Sequence, residues 1–266
     1  SVASRGLGDV YKRQELKDMA PGFNPKETCD TYKIGDGEAE IKNVGVSMFA
    51  TPEVIRKCAA DGINFLIVHE PMFYNHYDKE ISNKIGYEKE NLIEKTGLTI
   101  VRFHDYAHAA NPDLIAEGMT KYMRLPGECN LNKNNGGTDE VILNEPMTAL
   151  ELAAYIEKNL NIKHIRVAGC ADKKGRKIAC CFGTPGGVVE KLEDYDFVLT
   201  GEICEWCAGE IARDYAQLGQ TKAILVMGHI GSERAGMVHI ADILKEKHPE
   251  LNIKYIECEE LYSYAD

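Results

Sequence analysis

The chain has 266 residues, 44% apolar and 27% charged, with a formal net charge of −11. That length suits one large α/β domain or two small ones. Lys and Arg are scattered rather than gathered into a stripe, which argues against a nucleic-acid partner, and no apolar run approaches the roughly 20 residues of a membrane span.

Residues 1–14, SVASRGLGDVYKRQ, lack the apolar stretch of a signal peptide and show no clear periodicity. They are expected to be a disordered tail or an artefact outside the fold. The run 42–49 reads as a strand. A helix over 51–62 follows, with Thr51 as N-cap, Pro52 in the first turn and Gly62 as the stop. Strands are expected at 63–69 and 98–104, with a helix at 79–96 between them. A further helix at 111–123 would be capped by Asn111. Residues 124–140, rich in Gly, Asn and Pro, read as a long loop or boundary.

The rhythm then resumes. Helices are expected at 147–160, 203–218 and 232–247, and strands at 164–170, 177–182, 197–202, 223–229 and 253–258. Continuous apolar strands alternating with helices predict an α/β fold with mostly parallel sheets. Nine cysteines, an odd number and without a secretion signal, imply reduced thiols and a cytoplasmic protein. Cys204 and Cys207 form a lone C-x-x-C, read as two small buried residues on a helix rather than a redox or metal pair.

Three of the predicted strands end alike. One ends at His69 with Glu70 next. Another ends at His104, followed by Asp105 and His108. The third ends at His229, with Glu233 one helical turn on. Ligands of parallel α/β sheets bind beyond the carboxyl ends of strands. Buried imidazoles and carboxylates are costly unless paired or bound to a cation. Imidazole and carboxylate donors together suit zinc, iron or manganese. The number of candidates exceeds the needs of one tetrahedral ion, so two divalent metal ions are the expectation. A metal-free polar cluster is the bland alternative. His164, His239 and His248 fall at a strand start or within a helix and read as structural. Tyr74 and His76 read equally as pocket lining or ordinary loop.

Four blocks carry a resemblance: GVSMFATPEVIRKCAADGINFLIVHEPMFY, IVRFHDYAHAANPD, LTGEICEW and AILVMGHIGSERAGMVHIADIL. Over roughly residues 15–260 the chain resembles the Nif-three-like dinuclear metal centre proteins, also named GTP cyclohydrolase I type 2 homologues. Where that family has His-His-Pro, this chain has His69-Glu70-Pro71. Where it has H-x-x-x-D, this chain has His104-Asp105-Tyr106-Ala107-His108. The two exchanges compensate, and whether Asp105 ligates or orients an imidazole stays open.

The resemblance implies the Nif-three-like fold in its short, uninserted form, with two interleaved lobes. These are expected at 15–125, carrying the first two metal motifs, and 126–266, with 220–266 returning to the metal site. It also implies a toroidal homohexamer and hydrolytic opening of a nucleotide base such as the guanine of GTP. Glu233 and Glu70 are the catalytic candidates, bridging metals or relaying a proton, and Glu202 is a further group at a strand tip. The alternative is a protein that carries or inserts metal, or a hexameric scaffold for partner proteins.

Overall fold

Strands of Val, Ile, Leu and Phe with no polar alternation need cover on both faces, and such strands form the middle of both sheets of the protein. The computed structural model describes residues 9–35, 41–132, 138–184 and 186–265. In chain order it begins with α1 (Asp9–Asp18), β1 (Tyr32–Ile34), β2 (Asn43–Ser47), α2 (Pro52–Ala60), β3 (Phe65–Val68), α3 (Lys84–Thr96), β4 (Thr99–Arg102) and α4 (Asp105–Ala109). It continues through α5 (Leu114–Met123), β5 (Gly127–Asn130), β6 (Asp139–Thr148), α6 (Ala149–Leu160), β7 (Arg166–Gly169), β8 (Lys174–Cys181), α7 (Val188–Asp194) and β9 (Phe197–Thr200). A π-helical turn (Glu205–Gly209) leads into α8 (Glu210–Gln217), followed by β10 (Ala223–Val226), α9 (His229–Lys247) and β11 (Asn252–Tyr255).

Contacts divide the chain into two units. The first comprises the residues up to Ala110 together with Met237–Glu259, and the second Asn111–Gly236 with the residues from Glu260 on. The lobes are thus interleaved along the chain. The division falls ahead of α5, earlier than the expected boundary near 125. Helix α9 starts within the second unit and ends within the first.

The first unit's sheet has the order β1-β4-β3-β2-β11, parallel except for β1. Every residue of β3 and β4 is buried. The second unit's sheet has the order β5-β6-β8-β9-β10-β7, with only β8-β9 and β9-β10 parallel. Parallel pairing therefore dominates the first sheet, while the second is mixed. Its core includes Leu192, Val198, Ala212 and Ile224.

Caps explain where the helices start. Thr51 accepts from Val54 N, as expected for α2. Helix α3 begins at Lys84, later than the expected 79, because Asn83 accepts from Gly86 N. Helix α5 is capped by Asp113, not Asn111, through bonds from Ile115 N and Ala116 N. The segment 124–140 is no plain loop: it contributes β5 and the start of β6, which pair antiparallel. The pairing of β6 with β8 shifts register between Ile142 and Met147, the interval that holds Pro146. The amino-terminal stretch expected to be disordered includes residues 9–14, which lie in α1; residues 1–8 fall outside the described residues. Among the described residues, no helix is long and apolar enough to cross a membrane.

Candidate metal centre

In the first unit, β3 and β4 run parallel and deliver their carboxyl ends side by side. His69 follows β3 directly and is fully buried. The amides of His69 and Glu70 both donate to Met48 O, at 3.2 and 3.0 Å, which fixes the tip. Two residues past β4, His104 opens the short helix α4. His108 lies one turn on, with its amide donating to His104 O at 3.0 Å. His104 is the N-cap of α4, and the single turn between it and His108 brings both rings together.

The rings of His69 and His104 lie 4.6 Å apart, those of His69 and His108 5.1 Å, and those of His104 and His108 4.8 Å. One nitrogen from each lies within 4.8 Å of the others, close enough for one shared cation. His69 Nδ1 is 3.1 Å from Phe103 O. A carbonyl only accepts, so Nδ1 carries the proton and Nε2 is the ligating nitrogen. The donor set fits a divalent metal on that ground.

The neighbouring carboxylates are hydrogen-bonded, and Asp105 with Cys29 and His104 also offers donor atoms within 4.8 Å of one another. Asp105 Oδ1 lies 2.9 Å from His104 Nδ1 and accepts from Cys29 Sγ at 3.3 Å. Its Oδ2 accepts from Thr28 Oγ1 at 2.7 Å and Cys29 N at 3.1 Å. Burial alone would push the Asp105 carboxyl up, but hydrogen bonds from His104, Thr28 and Cys29 outweigh it and hold it well below the usual carboxylate range. Glu70 Oε2 pairs with the buried Arg102 guanidinium at 3.4 Å, while Oε1 is 4.0 Å from His69 Nε2. Arg102 also donates to His69 O at 2.7 Å and to His76 O. The exposed His76 ring sits 5.9 Å from His104, at the edge of the cluster.

In the second unit, the parallel strands β8, β9 and β10 end together. The amides of Gly201 and Glu202 donate to Gly183 O at 3.0 and 3.1 Å. Ser232 Oγ accepts from Gly183 N at 3.0 Å and donates to His229 O at 2.9 Å. His229 Nδ1 lies 2.7 Å from Glu202 Oε1 and 3.2 Å from Thr184 Oγ1. Its Nε2 is 3.2 Å from Oε2 of Glu233, which is 2% exposed. With its proton on Nδ1 facing Glu202, His229 presents a lone pair to a carboxylate, an arrangement that a cation or a second proton stabilises. Gly183, at φ +70°, packs against that same carboxylate, and a Cβ there would collide with it.

The structure thus brings His69, Glu70, His104, Asp105 and His108 together in the first unit, and His229, Glu233 and Glu202 in the second. Beside Glu202 runs an open cleft of about 520 Å³, lined by Thr184, Val188, Glu190, Ile203 and Cys204 among others. Cys204 is exposed and Cys207 half-buried, on a π-helical turn whose Trp206 is 81% exposed, so the expected buried helical pair is not what forms. His248 lies between Glu15 (2.7 Å) and Glu250 (3.2 Å), and the His164 ring stacks on Tyr264, structural settings as expected. Sequence reasoning missed Thr28, Cys29 and Asp30. Asp30 accepts backbone bonds from three successive residues, His104, Asp105 and Tyr106. Its only local signal is a turn-forming T-C-D-T run.

A family model described as Duf34/NIF3 (NGG1p interacting factor 3) matches residues 31–261. A protein of Clostridium perfringens named GTP cyclohydrolase 1 type 2 homolog is 25% identical over 242 residues, spanning 87% of this chain and 89% of its own. One of the same name from Campylobacter jejuni is 25% identical over 235 residues, 86% and 87% of the two chains. Among solved structures, Staphylococcus aureus protein SA1388 aligns at TM-score 0.76 and 18% identity over 98% of this chain and 100% of that one. A Bacillus cereus protein related to NIF3 aligns at 0.73 and 17%, again over 98% and 100%. At such identities the structural likeness establishes the fold.

Proposed function

This chain belongs to the Duf34/NIF3 family, and on that premise we propose that it is a dinuclear metal-binding protein acting as a metal-dependent hydrolase of the GTP cyclohydrolase 1 type 2 homologue kind. The observation that carries the reading is the His69 tautomer. Phe103 O takes the Nδ1 proton, which leaves Nε2 for a cation among two further imidazoles. His69, His104, His108, His229 and Glu233 are the ligands in this reading, and their mixed donors suit zinc, iron or manganese. Such ions supply Lewis acidity and water ionised near neutral pH.

The remaining groups take supporting roles. Asp105 orients the His104 ring rather than ligating. Glu70 balances the buried Arg102 charge. Glu233 Oε2, beside His229 Nε2, is the better-placed proton acceptor. A nucleotide or related small molecule is the proposed substrate class, on the strength of the relatives' names. A ring-shaped homohexamer and a cytoplasmic location belong to the same proposal, and light scattering tests the first.

A metal-carrier or scaffold role is the second reading. Among the described residues, the cleft beside Glu202 is lined by two carboxylates and by no Lys or Arg, which disfavours a triphosphate. Protein purified without added metal is expected to carry about two ions per chain by elemental analysis. Turnover of GTP or of a phosphoester panel, abolished by Glu233→Gln with at least one ion retained, supports the enzyme. Full metal loading without turnover favours the carrier, and metal-free protein that takes up none on dialysis overturns both.

A further inference from the structure

The segment Thr28–Asp30 enters β1, the antiparallel neighbour of β4, whose exit delivers His104. Asp30 is 4% exposed. Its Oδ1 accepts from His104 N at 2.8 Å and Asp105 N at 3.1 Å, and its Oδ2 from Tyr106 N at 2.9 Å. One carboxylate thus holds the backbone turn from which His104 and His108 project. The adjacent residues act on the ring. Thr28 Oγ1, Cys29 N and Cys29 Sγ all donate to Asp105, and Asp105 faces His104 Nδ1. The strap is itself braced: Asp30 N donates to Thr28 Oγ1 at 3.0 Å, and Arg102 N donates to Thr31 O at 3.1 Å.

We propose that Thr28, Cys29 and Asp30 are positioning residues of the metal centre, with Asp30 setting the α4 backbone and Thr28 and Cys29 setting the His104 ring through Asp105. This rests on reading His69, His104 and His108 as metal ligands. Two nested carboxylates divide the work. Asp30 governs two imidazoles by way of the main chain, whereas Asp105 governs one by direct contact. Supporting groups of this kind are worth about 10–100-fold in metal affinity.

The test uses the whole chain, with zinc affinity from chelator competition and cobalt(II) as a spectroscopic probe. Asp30→Asn leaves one oxygen for three amides. It is expected to weaken zinc about 10–100-fold and to shift the cobalt d–d bands, with a cooperative thermal transition retained. Thr28→Val leaves the backbone bonds to Asp30 Oδ1 and Oδ2 in place. It is expected to cost about tenfold, the low end of that range, and to shift the bands in the same direction as Asp105→Asn. Folded variants that match the wild type in affinity and cobalt spectrum overturn the strap. If Asp30→Asn does not fold, a wild-type cobalt spectrum for Thr28→Val is enough to overturn it. Wild-type protein that binds neither metal removes the metal-centre reading instead, a result distinct from unaffected variants.

Discussion

In the first unit three imidazoles cluster while the carboxylates beside them answer to other groups, Asp105 to Thr28, Cys29 and His104, and Glu70 to Arg102. In the second unit a single imidazole, His229, lies between two carboxylates, Glu202 and Glu233. The same residue types thus take different parts. The difference follows from what each sheet can bury. The first unit encloses Arg102 and Lys89, and the Lys33 side chain as well. Arg102 pairs with Glu70, and the strap donates to Asp105, which leaves the rings to ligate. The second unit buries no Lys or Arg among its described residues, and the Glu233 carboxylate faces His229 instead.

The most damaging change should be His108→Ala. It takes one of three clustered rings, and zinc affinity is expected to fall by at least about 100-fold, beyond the range of supporting groups. Chelator competition measures it, and an affinity within tenfold of the wild type breaks the contrast by showing that the triad is not the ligand set.

Lys89 probes the first unit's buried cations. Burial lowers its pKa to about 8, and its Nζ donates to Met72 O at 2.7 Å. Between pH 8 and its ordinary value of 10.5 the unfolded chain holds a proton that the folded chain has shed. Stability therefore rises with pH across that window, and the full cost of burying the charge is felt below it. Urea unfolding of wild type and Lys89→Met should show their difference moving in favour of the wild type by on the order of 2–3 kcal/mol from pH 7.5 to 10.5. A flat difference would mean that the ammonium is not desolvated.

Gly183→Ala sharpens the second unit's side. Its φ of +70° and the Glu233 carboxylate against it both resist a side chain. A loss of about 1–2 kcal/mol is expected, together with weaker metal retention, read from unfolding curves and elemental analysis. Stability falling without any change in metal content would separate Glu233 from the metal. The smallest effect belongs to Glu202→Gln. Its carboxylate is half exposed and solvent-screened, so a loss below about tenfold in zinc affinity is expected, less than for Asp105→Asn. The reverse order would place the dominant orienting carboxylate in the second unit.

The strand tips were legible because a buried strand announces its own end: FLIV runs into His69, and AILV reaches His229 after Met227 and Gly228. Helix α2 was legible for the same local reason, since Thr51 and Pro52 sit next to the residues they cap. The strap was not. Asp30 works on residues 74 to 76 positions away, and nothing periodic links them. The β5–β6 hairpin was hidden because its residues have turn-like composition, and the register shift of β6 falls in the interval that holds Pro146. Asp105 was seen as a candidate, but its role depended on Thr28 and Cys29, which only tertiary contact reveals.

Strand β11 occupies the edge of the first sheet beside β2, yet it follows residues 111–236 of the second unit in sequence. During translation β2 must wait with one edge bare until Asn252–Tyr255 leaves the ribosome, an interval on the order of ten seconds at usual synthesis rates. An open edge is a template for pairing with other chains. The newborn polypeptide thus passes through a sticky stage inherent in its connectivity, and a truncation ahead of Asn252 would make that stage permanent.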